Sequence, residues 1–248
     1  MNDFISIWKN KLRFNWQFGI FLILLFGIPR FIIVLNANRT GNYNFTAIIF
    51  VLMWILPFLF LSKQGRKSIG LKKPKNIKWL LYSFIFGVVG GFTLYIIGVW
   101  FYNGTVNNWF IYISNSYTIP SEILQTSEKN IYFIIFALIG MTFSPIGEEL
   151  LYRGLIHQCF VSKYGERKSS NIDSLAFAIT HLAHFGILYI AGDWHFAMIP
   201  AILWMILIFF TGKLFYFCKM KSSSVYTSII SHSGFNLAMT YFIFYHIL

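Results

Sequence analysis

Acidic residues are scarce in this chain: 8 Asp and Glu stand against 20 Lys and Arg in 248 positions, and only 11% of all residues are charged. Soluble domains carry roughly 25%. With 57% hydrophobic and 21% aromatic residues, that balance excludes a soluble globular protein. The short alternating segments of a membrane barrel are missing as well. The two cysteines, Cys159 and Cys218, fall near segment ends expected to face the cytoplasm, where thiols stay reduced, and read as packing residues. No small-residue cleavage site follows the first apolar stretch, so that stretch is expected to remain as an anchor. Repeats, low-complexity tracts and a soluble insert are also lacking, and residues 1–248 read as a single integral membrane domain.

What the chain does have is a series of apolar runs, several long enough for a helix to cross about 30 Å of hydrocarbon. The fold class predicted is all-α, a polytopic transmembrane helical bundle of about seven spans, with eight as the upper count. The expected spans are 16–35, 45–61, 79–102, 131–160, 174–190, 195–217 and 225 to the C-terminus. Lys63, Arg66, Lys67, Lys72, Lys73, Lys75 and Lys78 crowd the connection after the second span. A positive-inside bias puts that connection and the N-terminus in the cytoplasm and accounts for the net charge of +12 without a nucleic-acid partner. The connection 103–130 then lies outside, with Trp109, Phe110, Tyr112 and Tyr117 as an interfacial aromatic belt. Gly87, Gly90, Gly91 and Gly98 on the third span allow close helix approach. Within the first span, Pro29-Arg30 predicts a kink and a charge that must snorkel or find a partner.

Six of the acidic residues lie in polar connections or at segment ends. Glu148 and Glu149 alone sit inside apolar sequence, where a carboxylate is costly unless paired, hydrated or protonated, and so marks function. Counting about 1.5 Å of rise per residue from the cytoplasmic ends brings Glu148 to the depth of His181 and His184 on span five and of His232 and Asn236 on span seven. A polar cavity between spans four, five and seven is the expected consequence. Helix neighbours point about 100° apart, so one glutamate faces that cavity and the other does not. Glu149 precedes Arg153 by four residues and is assigned an ion pair. Glu148 is thereby left free for chemistry. His157, His195 and His246 read as structural histidines.

A carboxylate, two imidazoles and an amide around water suit peptide-bond hydrolysis. Glu148 takes the proton of water, His181 orients that water or shares its proton, and His232 with Asn236 stabilises the oxyanion. In this reading no cofactor is required. A zinc version would use Glu148, His181 and His232 as ligands, although the chain has no HExxH helix.

The motifs Glu148-Glu149-x-x-x-Arg153, Phe177-x-x-x-His181 and His232-x-x-x-Asn236 together resemble the CAAX protease and bacteriocin-processing (Abi) family of intramembrane endopeptidases. The resemblance covers about 131–248. It implies Glu148 as the activating glutamate, His181 as its partner and His232 with Asn236 as the oxyanion pair, with Glu149 and Arg153 supporting them. His184 is an additional histidine beside the motif. The composition is similar to that of low-GC bacteria, so the expected setting is a bacterial cell membrane. The expected partners are the lipid bilayer and a membrane-associated peptide or protein precursor: a signal peptide, a bacteriocin leader or a CAAX-like substrate. Two other classes use similar residues. One is a non-catalytic immunity or partner-binding protein. The other is a small transporter or proton pathway, for which inverted repeats and paired broken helices are wanting.

Overall fold

The computed structural model describes residues 3–248. Its first helix, α1 (Trp16–Thr40), begins where the Asn15 side chain accepts from the Phe18 N–H and ends at Gly41, whose positive φ of 71° closes the last turn. α2 (Asn44–Phe60) returns beside it, and a short α3 (Lys63–Ser68) leads to α4 (Lys78–Tyr102). Two further short helices, α5 (Trp109–Ser114) and α6 (Ser121–Leu124), precede α7 (Glu128–Glu149). A π-helical segment, Leu150–Ile156, continues α7 directly into α8 (His157–Thr180). An antiparallel hairpin of β1 (Ile187–Ile190) and β2 (Asp193–Phe196) follows, then α9 (Met198–Ser222) and α10 (Val225–Phe242).

Four helical stretches are long and apolar enough to cross a membrane: Trp16–Thr40, Lys78–Tyr102, Glu128–Ala183 and Met198–Ser222. α2 is apolar but shorter. The seven expected spans therefore do not all have that character. α10 is outside the four because it carries Thr227, Ser228, Ser231, His232, Ser233 and Asn236, the polar residues from which a site is built. Side chains such as Leu24, Ile32, Phe58 and Trp100 stand exposed on the outer faces of α1, α2 and α4, a surface suited to lipid and not to water.

Three expectations need correction. The connection expected between spans four and five is a turn at Gly165, with φ 72° and ψ 169°, and helix resumes directly after it. His157 Nδ1 lies 2.7 Å from Asp173 Oδ2, 16 residues on, where a straight helix would separate them by roughly 24 Å. The two arms of α8 therefore run back on each other. Span five was expected to continue to residue 190, but the helix stops at Thr180 and 187–196 form the hairpin. Gly186 (φ 121°), Ala191 (φ 52°) and Gly192 (φ 96°) hold conformations that a helix cannot use. Lastly, α5 is not an interfacial belt. Asn108, itself buried, donates to Asn103 O and accepts from Phe110 N–H. That cap folds Trp109 and Phe110 inward to full burial, with the Trp109 ring 5.7 Å from Trp204.

The α4–α10 crossing is the tightest part of the bundle. A Cβ at Gly87 would overlap the Ser231 carbonyl, and one at Gly91 would come within 2.7 Å of Ala238 Cβ. The glycines expected to permit close approach do so here. Against its other side, α10 meets α7 at Pro145. Proline has no N–H for the carbonyl four residues earlier, and that carbonyl, Met141 O, accepts instead from Ser233 Oγ at 2.6 Å. One residue before it, Gly140 O accepts from Asn236 Nδ2 at 2.8 Å. The proline thus opens α7 to the polar face of α10.

Candidate active site

Glu148 lies at the end of α7, fully buried. Ser144, one turn earlier, donates to its Oε2 at 2.5 Å, and Arg30 Nη2 lies 2.5 Å from its Oε1. Arg30 comes from α1, directly after Pro29, and is buried rather than snorkelling. Its Nη1 donates to Thr180 Oγ1 at 2.9 Å. Its Nη2 also stands 3.4 Å from both His181 Nε2 and His184 Nε2, while the guanidinium sits 5.6 Å from the centre of the Phe50 ring.

His181 is held at the end of α8 by its own helix. Its Nδ1 is 2.7 Å from Phe177 O. A carbonyl only accepts, so Nδ1 carries the proton and the Nε2 lone pair faces Arg30. Trp204 Nε1 donates to the His181 carbonyl, fixing the backbone of the turn. His232, from α10, lies nearly parallel to Phe215 at 4.6 Å and edge-on to Phe177 at 5.8 Å. Its Nδ1 is 3.0 Å from Glu149 Oε1 and its Nε2 is 3.7 Å from Glu148 Oε2.

Both glutamates therefore meet the same imidazole. The expectation that only one of them could face the site is corrected: a histidine entering from another helix offers two nitrogens on opposite sides of its ring and reaches across the 100° between neighbours. Nor is Glu148 free, because Arg30 pairs with it. The expected Glu149–Arg153 pair is present at 3.1 Å. Arg153 Nε is also 3.7 Å from Asp173 Oδ1, and the guanidinium lies 4.3 Å from the centre of the Phe177 ring. Gly212 leaves room for it, since a Cβ there would be 2.5 Å from Arg153 Nη2. Lys219 Nζ donates to Arg153 O. His157 bonds Asp173 and Glu166, the structural role expected of it, and His195 stands exposed on β2.

A cavity of about 220 Å³ opens beside this arrangement, with Arg30, Ser144, His181, His184, His232 and Asn236 on its polar side and Phe50, Phe177, Trp204 and Phe215 among its apolar walls. Glu148 lies directly behind Arg30, Ser144 and His232. Of the expected site residues, His181, His232 and Asn236 line this space, whereas Glu148, expected to enter it, is kept behind that wall by its pair with Arg30. His184 lines it too.

Residues 130–238 match the family model described as type II CAAX prenyl endopeptidase Rce1-like. Over that stretch the chain is similar to that family. The match agrees with the resemblance carried by the sequence motifs and includes Glu148, Glu149, Arg153, His181, His184, His232 and Asn236. No curated protein and no solved structure matches the chain.

Arg30 lies outside the matched residues, and sequence reasoning did not assign it to the site. The signal was a charge with no visible partner in an apolar span. Which residue it would meet depends on how α1 packs against α8 and the π-helical segment before it, which no local pattern encodes. Pro145 was missed in the same way.

Among the described residues, no three His, Cys, Asp or Glu side chains are grouped to hold a metal ion. The atoms a zinc version would use do not fit an ion without displacing Arg30. Glu148 Oε1 and His181 Nε2 both face its Nη2, so a cation of the chain already stands between them.

Proposed function

We propose that the protein is an intramembrane endopeptidase that hydrolyses a peptide bond of a membrane-associated peptide or protein with a water activated by Glu148. One observation carries the reading: Glu148, His181 and His232, from three separate parts of the bundle, meet beside one cavity within an Rce1-like segment. Glu148 accepts the proton of the attacking water. His181 presents an Nε2 lone pair towards the same region and orients that water. His232 and Asn236 stand on the cavity wall to stabilise the oxyanion, while Glu149 and Arg153 hold His232 in place. The mechanism uses no metal, the positive charge beside the base being supplied by Arg30. The family's name points to CAAX-type prenylated substrates. Signal peptides and bacteriocin leaders share the needed chemistry, a peptide bond brought to the membrane by an apolar attachment.

The test is cleavage by the purified full chain in lipid vesicles, followed by mass spectrometry. The probes are a farnesylated CAAX-type peptide, a signal peptide and a bacteriocin leader. Wild type cleaves at least one of them, Glu148→Gln does not, and a chelator leaves the rate unchanged. Full cleavage by Glu148→Gln overturns the mechanism, and loss of cleavage with chelator restores the metal version.

A further inference from the structure

The hydrogen-bonding groups of the other polar residues on the cavity wall are already largely committed. His181 gives its Nδ1 hydrogen to Phe177 O. His232 Nδ1 is engaged with Glu149 Oε1, and Asn236 gives one amide hydrogen to Gly140 O. Arg30 is different. It lines the cavity, it is 1% exposed, and its Nε has no hydrogen-bond partner. A guanidinium has five N–H donors and stays charged. Arg30 is thus the permanent cation among the described residues of the cavity wall, with donors to spare.

We propose that Arg30 is a catalytic residue that binds the oxyanion of the tetrahedral intermediate, an inference that rests on the function proposed above. Charge accounting supports it. Before reaction, Glu148 and Arg30 form a buried, neutral pair beside the cavity. In the step itself, the water oxygen forms a bond to the carbonyl carbon, the π electron pair moves onto the carbonyl oxygen, and the water proton passes to Glu148. The negative charge leaves the carboxylate and appears on the substrate oxygen. Arg30 stays positive, loses its anionic partner on Glu148 and meets a new one in the cavity. The sum remains zero throughout, so no uncompensated charge is buried, which in an apolar setting is the costly alternative. A neutral amide alone would leave that charge without a counter-ion.

The experiment compares two non-cleavable analogues of the farnesylated CAAX-type peptide: a phosphonamidate, tetrahedral and anionic at the scissile position, and a neutral ketomethylene. Affinities are measured for wild type, Arg30→Gln and Arg30→Lys in vesicles, with melting temperatures as a control for folding. Removing one oxyanion donor costs about 10²–10³-fold. The expected result is that wild type prefers the phosphonamidate, that Arg30→Gln loses that preference by about this factor while binding the ketomethylene within about twofold, and that Arg30→Lys retains part of it. If Arg30→Gln does not fold, Arg30→Lys decides alone, since an ammonium lacks the planar fork and lowers the ratio of affinities by about tenfold. Unchanged ratios, or parallel weakening of both analogues, overturn the assignment and leave Arg30 a positioning residue for Glu148. Wild type that cleaves the parent peptide with unchanged ratios in the variants removes this inference alone. Wild type that neither cleaves it nor binds either analogue removes the protease reading on this substrate and the inference with it.

Discussion

Glu148 and Glu149 are adjacent, both fully buried, and each is held by one arginine. The difference lies in what surrounds the arginines. Arg153 is enclosed by Asp173, Lys219 and the Phe177 and Phe215 rings, with Gly212 closing over it. Arg30 lines open space. A buried ion pair by itself is therefore no sign of chemistry. The pair that borders a cavity can exchange its partner for a substrate, whereas the sealed pair can only hold helices together. His232 couples the two, with one ring nitrogen on each carboxylate.

The widest separation between the two sites should come from the glutamates themselves. Glu148→Gln is expected to lower cleavage by about 10²–10⁴-fold, the range for losing a general base, with a smaller loss of stability than breaking the sealed pair, because Arg30 borders a cavity and the amide oxygen can still accept from it. Breaking the sealed pair reverses the pattern. Arg153→Met strands Glu149 and Asp173 without their cation and is expected to cost about 3–5 kcal/mol of stability, read as a lower midpoint in denaturant. A folded, fully stable Arg153→Met that has lost only activity would break the comparison.

Gly87→Ala tests the framework on which both sites depend. Its Cβ would overlap Ser231 O on α10, and overpacking of this kind costs about 1–3 kcal/mol. Because Ser231 precedes His232, the strain reaches the histidine shared by both glutamates. Stability and cleavage should fall together, and a drop in one without the other would place the α4–α10 crossing outside the site's support.

Local patterns made part of this legible. The Glu149–Arg153 pair follows from four-residue spacing, the glycine stripe of α4 from small residues in an apolar run, and the motif residues from polar side chains where lipid would penalise them. Whatever depended on one segment meeting another was hidden. Arg30 announced only that it needed a partner. Residues 187–190 read as the end of a helix because a short apolar run has no period that separates helix from strand. Trp109 and Phe110 read as a membrane belt, since nothing in a polar loop tells that Asn108 will turn its backbone back into the bundle. Pro145 was visible, but its effect lies in the carbonyl it releases to Ser233.

The smallest effect expected separates two histidines that share a donor. His181 and His184 each place Nε2 at 3.4 Å from Arg30 Nη2. His181 is further clamped through Nδ1 to Phe177 O, which fixes its tautomer and presents its lone pair to the site. No such clamp is seen on His184 among the described residues. His184 packs on the His181 ring and serves Arg30 as one acceptor among several, a contact worth about 1 kcal/mol. His184→Ala is expected to slow cleavage about fivefold, and His184→Gln, which can still accept from Arg30, should recover most of that loss. His181→Ala should be far more severe. If His184→Ala matched it, the second histidine would belong to the chemistry, and the guanidinium would lie between two working imidazoles instead of one.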